Sequence, residues 1–221
     1  MRLAIFDVDG TLVSGRSTEK RFIAWLFRRG HLGPLQLLSA GWFVVRWFPQ
    51  FGRHVFRKNK AYLNGLPVSL VADEARRFVQ SVPDAAWIEP ALAELRRHRK
   101  NGDIVILLSG TLQPIAESLC SRFGADGSLG TECHVEQQRF TASPPLQHPF
   151  YDEKADMLSS ICETYRIAAG EIYAYADSRF DIPLLRKIGY PVAVCPDRAL
   201  AEWARANNHR ILPNRRNTVS R

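Results

Sequence analysis

Two aspartates follow the first apolar stretch of the chain, in the sequence LAIFDVDGT (residues 3–11). Asp7 and Asp9 are two positions apart, and side chains alternate along an extended chain, so both carboxylates point to the same side. Two carboxylates at the end of a strand offer the hard oxygen ligands that Mg²⁺ prefers. Gly10 allows a sharp turn that brings backbone N–H groups close to an anion. An Asp-Gly hairpin turn without a metal is the alternative interpretation.

A hydroxyl-bearing segment follows a second apolar stretch, in the sequence IVILLSGT (residues 104–111). The pattern predicts a buried strand that delivers Ser109 and Gly110 to the start of a helix. The free N–H groups and the dipole of a helix N-terminus bind phosphate, and a serine hydroxyl beside them adds a ligand. Helix capping is the alternative role of these hydroxyls. Both roles are compatible, with Ser109 as the phosphate ligand and Thr111 as the cap.

More charged residues occur in the second half of the chain. The sequence ADSRFD (residues 176–181) places Asp177 at the end of a third apolar stretch and Asp181 four residues later. Clustered carboxylates repel one another, so a cation between them is the favourable arrangement; an acidic helix N-terminus is the alternative. Lys154 stands at the start of a predicted helix, where its charge opposes the helix dipole. An isolated lysine there is usually solvated, but the other three motifs favour a functional role.

Strands and helices alternate along most of the chain. Continuous apolar runs predict buried parallel strands at 3–6, 104–108, 172–176 and 192–195, because apolar residues are continuous where both faces of a strand are covered. Helical patterns occupy residues 90–101, 111–123, 153–165 and 199–207. This order predicts an α/β fold with a doubly wound parallel sheet, in which ligands bind beyond the carboxyl ends of the strands.

Residues 16–83 interrupt this alternation and predict a helical cap inserted after the first strand. The core domain then comprises residues 1–15 and 84–221. The most apolar stretch of the insert, residues 35–48, is shorter than the roughly 20 residues that span a bilayer. Two interpretations remain open for it: burial in the insert's own core, or contact with a membrane interface. Trp25, Trp42 and Trp47 stand among arginines, as in helices that lie at the headgroup boundary.

The net charge of +8 is concentrated in the insert, since residues 16–60 contain ten Lys and Arg and a single acid, Glu19. Such a charge distribution favours anionic partners. A nucleic acid is not expected, because no nucleic-acid-binding motif accompanies the basic residues. The four cysteines show neither a CxxC pair nor metal-ligand spacing, and the N-terminus does not read as a signal peptide,. We therefore expect a reduced, cytoplasmic protein with a frayed basic tail at 214–221.

The order DVDGT, LLSGT, a lysine and ADSRFD resembles the four motifs of the haloacid-dehalogenase superfamily of phosphatases. The position of the insert is similar to that of the cap in the phosphoserine-phosphatase-like branch, subfamily IB. The resemblance implies a Rossmann-like sheet, a mobile cap, Mg²⁺ and hydrolysis of a phosphate monoester through an aspartyl-phosphate. The layout is also similar to that of the phosphatidylglycerophosphatase C enzymes, including Gln113 and Pro114 after the second motif.

The resemblance assigns the chemistry to the aspartates. Asp7 is implied to be the nucleophile, and Asp9 is implied to be the acid for the leaving oxygen and then the base for water. Mg²⁺ is implied to bind Asp7, Asp177 and the backbone carbonyl of Asp9, while Asp181 orients that shell or Lys154. These assignments are physically consistent, because an anionic nucleophile approaches a phosphoryl group only where nearby cations neutralise the negative charge.

The remaining motif residues are assigned to phosphate and substrate binding. Ser109 and Lys154 are implied to hold phosphoryl oxygens, next to the backbone of Gly10 and Gly110. In phosphoserine phosphatases an acidic residue after the first motif binds the ammonium group of the substrate, but Arg16 stands at this spacing here. We therefore expect a small, anionic phosphate ester, with Arg16 either as a substrate ligand or as a solvated side chain.

The alternative functions differ in the substrate and in the need for catalysis. A lipid-phosphate phosphatase at the membrane surface would suit the basic aromatic insert, and a phosphoserine phosphatase would suit the order of the motifs. The third alternative is a non-catalytic module that binds an anionic membrane. A membrane-bound form would be peripheral to the inner face of the membrane.

Overall fold

The computed structural model describes residues 2–15 and 17–213, so Arg16 and the predicted tail at 214–221 lie outside the described residues. The strands are β1 (Leu3–Phe6), β2 (Ile104–Leu112), β3 (Gly127–Thr131), β4 (Val135–Glu136), β5 (Arg139–Phe140), β6 (Ile172–Ala176), β7 (Tyr190–Val194) and β8 (Arg210–Leu212). Six of them form a parallel sheet in the order β3-β2-β1-β6-β7-β8, while β4 and β5 form an antiparallel hairpin.

Helices flank the sheet. The α-helices of the described residues are α1 (Thr18–Arg28), α2 (Pro34–Phe51), α3 (Val55–Lys58), α4 (Val68–Ser81), α5 (Glu89–Lys100), α6 (Gln113–Phe123), α7 (Asp152–Tyr165), α8 (Ile182–Leu185) and α9 (Arg198–Ala206). The four helices predicted from the sequence correspond to α5, α6, α7 and α9, with ends that differ by at most two residues.

Both faces of the sheet are covered, which explains its continuous apolar strands. In the central strand β1, Ala4 and Phe6 pack into one core with residues of α1, α4, α5 and α6. Leu3 and Ile5 pack into a second core on the opposite face, with residues of α7, α8 and α9. The ring of Phe6 stacks on Tyr175 of the adjacent β6, with ring centroids 4.2 Å apart. The predicted doubly wound α/β fold is therefore confirmed.

The chain between β1 and β2 is helical, and part of it forms a layer with the hairpin. Phe22 of α1 and Phe78 of α4 pack with ring centroids 5.5 Å apart. The hairpin joins this layer, since the Phe140 N–H donates to the Leu66 carbonyl at 3.0 Å. Among the described residues, no strand of the sheet lies between β1 and β2. The domain boundaries themselves stay a prediction.

The most apolar stretch of the insert lies on α2, and little of it is buried. Phe43 is the one buried residue of this helix, whereas Leu38, Trp42 and Val45 are 72%, 66% and 67% exposed. The interpretation that this stretch packs into the insert's own core is therefore wrong for most of its residues. Within the described parts of the chain, no helix is long and apolar enough to cross a membrane.

Strand β2 continues farther than its apolar pattern indicates. It extends past Ser109 to Leu112, and α6 begins only at Gln113. The prediction that Thr111 caps this helix is wrong, because the backbone stays extended and pairs with β3 as far as Leu112. The Thr111 hydroxyl lies instead 2.9 Å from the hydroxyl of Thr18.

Candidate active site

Four charged residues from separate parts of the chain meet at the carboxyl edge of the sheet. Asp7 follows β1 and Asp177 follows β6, and these strands are adjacent and parallel. Lys154 lies in the first turn of α7, and Asp181 lies in a short 3₁₀ turn after β6. The Lys154 Nζ donates to Oδ1 of Asp7 at 2.6 Å and to Oδ1 of Asp181 at 2.7 Å. The fold thus brings these predicted site residues together: Asp7, Lys154 and Asp181 form a buried ion-pair network, and the half-buried Asp177 lies beside it.

Gly10 allows the Asp177 carboxylate to lie against the loop that follows β1. Its φ is +87°, and a Cβ atom at this position would lie 2.0 Å from Oδ2 of Asp177. The loop closes through a hydrogen bond from the Gly10 N–H to the Val13 carbonyl at 2.8 Å. Only glycine adopts this left-handed conformation readily and, without a Cβ atom, leaves room for the Asp177 carboxylate. A hairpin turn is excluded, because β1 pairs in parallel with β2 and β6.

Asp9 contacts the insert and lies apart from the other carboxylates. The backbone N–H of Thr18, the first residue of α1, donates to Oδ1 of Asp9 at 2.8 Å. Burial raises the pKa of the Asp9 carboxyl, and hydrogen bonds from Thr18 and Ser17 oppose this shift. The position of α1 is therefore coupled to the protonation of Asp9.

The surroundings of Lys154 disfavour the ionised form of Asp7 and Asp177. Burial raises the pKa of Asp7, Lys154 lowers it, and Asp181 raises it further. Burial and the nearby Asp7 raise the pKa of Asp177 to about 8. Burial alone would lower the pKa of Lys154, but the carboxylates of Asp181 and Asp7 outweigh it and raise the pKa. One lysine faces three carboxyl groups, so the site favours an additional cation.

The acidic cluster fits a small divalent cation. Asp7, Asp177 and Asp181 each offer one carboxylate oxygen, and these oxygens lie within 4.8 Å of one another. Carboxylate oxygens are the ligands that Mg²⁺ prefers. Of the predicted metal ligands, Asp7 and Asp177 belong to this cluster, while the predicted ligand of Asp9 is its backbone carbonyl rather than its side chain. Asp181 joins the cluster, although its predicted role was only to orient the site.

Ser109 and Gly110 lie on β2, next to β1, and line the cavity above Asp7. Ser109 is buried, and its Oγ accepts the Thr111 N–H at 3.3 Å. Because the oxygen accepts in this contact, the hydroxyl proton is available to a ligand in the cavity. The predicted phosphate ligands are therefore close to the acidic cluster.

A cavity of about 640 Å³ lies between the sheet edge and the insert. Glu19 of the insert lines it, but its charge is neutralised: Oε2 accepts from Lys60 Nζ at 2.5 Å and Oε1 accepts from the Tyr62 hydroxyl at 2.7 Å. Lys60 itself lines the cavity, and the remaining charged residues that the insert contributes to the lining are Lys20, Arg53 and Arg57. The cavity therefore has a net basic wall opposite its acidic floor.

Several residues that shape this cavity could not be identified from the sequence pattern. The Arg57 guanidinium lies over the rings of Phe150 and Phe180, 3.9 Å and 4.9 Å from their centroids. His148 also lines the cavity, with its Nδ1 2.7 Å from the Thr131 hydroxyl. Arg57, His148 and Phe150 lie outside the four motifs, whereas Phe180 belongs to the ADSRFD motif. The four residues meet only in the folded chain.

Comparison with known proteins agrees with this geometry. A sequence profile of the haloacid dehalogenase-like hydrolases matches residues 4–186. The chain belongs to the haloacid dehalogenase-like hydrolase family. As a member of this family the protein is an enzyme, and the resemblance found in its motifs is confirmed.

Two named relatives of this hydrolase match most of its length. The histidinol-phosphatase of Neisseria meningitidis serogroup C (strain 8013) is 26% identical over 220 residues, covering 95% of this chain and 97% of the relative. The phosphoserine phosphatase SerB1 of Mycobacterium tuberculosis is 28% identical over 217 residues, covering 94% of this chain and 69% of the relative.

Solved structures share the fold of this family member. A protein of unknown function from Bordetella pertussis Tohama I superposes with a TM-score of 0.79 at 22% identity, over 96% of this chain and 97% of that one. A substrate-bound phosphoserine phosphatase superposes with a TM-score of 0.62 at 19% identity, over 97% of this chain and 93% of that one.

The raised pKa of Asp177 predicts how the stability of this hydrolase depends on pH when divalent cations are removed. The pKa rises from 3.8 in the unfolded chain to about 8 in the folded protein. Between these values the folded state binds more protons, so the free energy of unfolding should fall as the pH rises. Asp177→Asn should remove much of this decline and should be more stable than the wild type at the alkaline end of the range.

Urea unfolding in EDTA, across this pH range, measures the effect. Asp156→Asn, which changes an exposed aspartate of α7, is the matched control and should keep the wild-type slope. An equally steep decline in Asp177→Asn would show that Asp177 is not the group responsible.

Proposed function

We propose that this protein is a Mg²⁺-dependent phosphatase that hydrolyses phosphate monoesters at Asp7. The observation that carries the proposal is the buried contact of Lys154 with Asp7 and Asp181 at the carboxyl edge of the sheet. Relatives named histidinol-phosphatase and phosphoserine phosphatase support a phosphate ester as the substrate.

The proposed reaction has two steps. A carboxylate oxygen of Asp7 attacks the phosphorus and forms an aspartyl-phosphate, while the bond to the ester oxygen breaks. Asp9 donates its proton to that oxygen, and burial supports this role because it raises the pKa of Asp9,. A water then attacks the phosphorus, Asp9 accepts a proton from it, and inorganic phosphate leaves with Asp7 restored.

Charge neutralisation is the main requirement of this reaction, because an anionic nucleophile must approach an anionic group. Lys154 and Ser109 bind phosphoryl oxygens, with the backbone of Gly10 and Gly110 beside them. Lys154 also orients Asp7 through its contact with Oδ1. Asp7, Asp177 and Asp181 would hold Mg²⁺, with the Asp9 backbone carbonyl as the further ligand that the family resemblance implies, and the ion would supply positive charge for the phosphoryl group,.

The proposed substrate is a small ester that carries a second anionic group. The acid of the insert that lines the cavity, Glu19, is already paired with Lys60, so it offers little attraction to an ammonium group. Lys20, Arg53 and Arg57 line the same wall and attract anions,. This charge arrangement favours such an ester over zwitterionic phosphoserine.

A lipid phosphate ester is the second candidate substrate. Arg53, Phe56 and Arg57 follow α2 directly and line the cavity, and α2 exposes large apolar side chains. An acyl chain or an interfacial headgroup could therefore contact this side of the protein while the phosphate occupies the cavity.

Asp7→Asn should lower the rate of phosphate release by at least about 10³-fold, because the amide cannot act as the nucleophile. EDTA should abolish wild-type release, and added Mg²⁺ should restore it. The assay is release of inorganic phosphate from a panel of phosphate esters, with Asp156→Asn as a control that retains the wild-type rate. Wild-type turnover by Asp7→Asn, or full activity in EDTA, would refute the proposed mechanism.

Gly10→Ala should reduce kcat by about 100-fold, since a catalytic group displaced by about 1 Å costs this much. The new Cβ would overlap Oδ2 of Asp177. Gly15→Ala is a matched control, because Gly15 has a φ of +91° but nothing within 4 Å of an added Cβ. It introduces similar backbone strain without the clash and should retain most of kcat. Equal losses of kcat in the two variants would show that the close contact between Gly10 and Asp177 is not important for catalysis.

Arg57→Gln should raise KM about tenfold for esters with a second anionic group, because a hydrogen bond to a charged group is lost. It should change KM little for esters whose remainder is neutral. Arg198→Gln, which alters a highly exposed arginine of α9, should leave both values unchanged. A wild-type enzyme that hydrolyses only phosphoserine among the esters tested would contradict the proposed substrate class.

A further inference from the structure

The outward side of α2 is mostly apolar. Its large apolar side chains are about half exposed or more, and we call them the α2 face: Leu35, Leu37, Leu38, Trp42, Val45 and Phe48. Arg46 is the one charged residue of this helix. Phe43, on the inward side, is buried in a small core with Val55 and Ala61. The helix is therefore anchored by one side and presents the other to its surroundings.

Large apolar side chains are rarely grouped in this way on a protein surface that contacts only water. Leu38, Trp42 and Val45 succeed one another at intervals of four and three residues, which places them along one side of a helix. Each is at least 66% exposed. Phe27, at the end of α1, and Phe56, after α2, are also at least 60% exposed and extend the apolar character of this part of the insert.

The charges of this part of the chain select the kind of partner. No Asp or Glu occurs between residues 20 and 72, whereas nine Lys and Arg do. The exposed arginines that precede, interrupt and follow the α2 face are Arg28, Arg46, Arg53 and Arg57. Arg29 is also exposed, but it pairs with the buried Glu74. An apolar surface flanked only by positive charge is complementary to a surface with an apolar interior and negative headgroups.

A second copy of the chain fits this surface less well. A two-fold dimer through the α2 face would place the same patch against itself. Arg28, Arg46, Arg53 and Arg57 would then face one another, and no acid of residues 20–72 is there to neutralise them. An anionic bilayer offers both the apolar contact and the opposite charge, without that repulsion.

We propose that the α2 face docks this protein on the surface of an anionic lipid bilayer, with α2 lying at the headgroup boundary. Trp42 and the leucines enter the interface, and the flanking arginines contact lipid phosphates. Arg53, Phe56 and Arg57 line the cavity and follow α2 directly, so docking places the cavity entrance close to the bilayer. The docking itself does not depend on the proposed phosphatase function.

Co-sedimentation of the full chain with vesicles tests the proposal. The wild type should sediment with vesicles that contain phosphatidylglycerol and remain in solution with phosphatidylcholine alone. The double variant Leu38→Ser/Trp42→Ser should bind at least about tenfold more weakly, because it removes apolar area from the contact. Arg46→Gln should weaken binding about fivefold, as expected for one charge near an anionic surface.

Matched variants separate docking from folding and from catalysis. Leu146→Ser changes an apolar residue that is 62% exposed on another part of the chain, and it should bind vesicles like the wild type. Asp7→Asn should also bind like the wild type, so a failure of the proposed catalysis does not affect this readout. Circular dichroism and hydrolysis of a water-soluble ester check that the double variant is folded.

Three results would overturn the proposal. The first is a wild type that binds neither type of vesicle. The second is a double variant that binds phosphatidylglycerol vesicles as tightly as the wild type. The third is a concentration-dependent dimer in analytical ultracentrifugation that the double variant abolishes, without any binding to vesicles; this result would assign the α2 face to a second copy of the chain.

Discussion

One buried ammonium group holds the functional edge of this sheet together. Removing charges from water is unfavourable unless they pair closely, and Lys154 satisfies both Asp7 and Asp181 with hydrogen bonds of 2.6 and 2.7 Å. These three residues come from the end of β1, the start of α7 and the turn after β6. A single network therefore fixes the relative positions of three chain segments, and Asp177 is held beside it by the close approach to Gly10.

The insert covers the site and also contributes hydrogen bonds to it. Thr18 donates to Asp9 through its backbone N–H, and its hydroxyl contacts that of Thr111 on β2. A displacement of α1 would therefore change the environment of Asp9 and open the cavity at the same time. The pairing of Glu19 with Lys60 leaves the insert's remaining cations to select the ligand. In the proposed mechanism, positioning of the acid Asp9 and selection of the substrate thus depend on the same helical layer.

Much of the fold was predictable because buried parallel strands such as β1 and β6 are continuously apolar. The acidic motif residues were predictable for the same reason, since each follows such a strand. Strand β3 was missed because it contains Gly127 and Gly130, and β8 was missed because it has only three residues. The end of β2 was misplaced because Ser109 and Thr111 also suit a helix start. The contacts of Arg57 could not be predicted, because they join residues that are far apart in the sequence and meet only through tertiary packing.

In the proposed mechanism, Asp7 carries the phosphoryl group during turnover. This step can be tested by quenching the enzyme during hydrolysis of a phosphate ester and reducing the quenched protein with borohydride, which converts an aspartyl-phosphate to homoserine. Peptide mass spectrometry then locates the modified residue. We expect homoserine at position 7, formed only in the presence of Mg²⁺ and the substrate. Modification at another aspartate, or rapid turnover with residue 7 unmodified throughout, would contradict it.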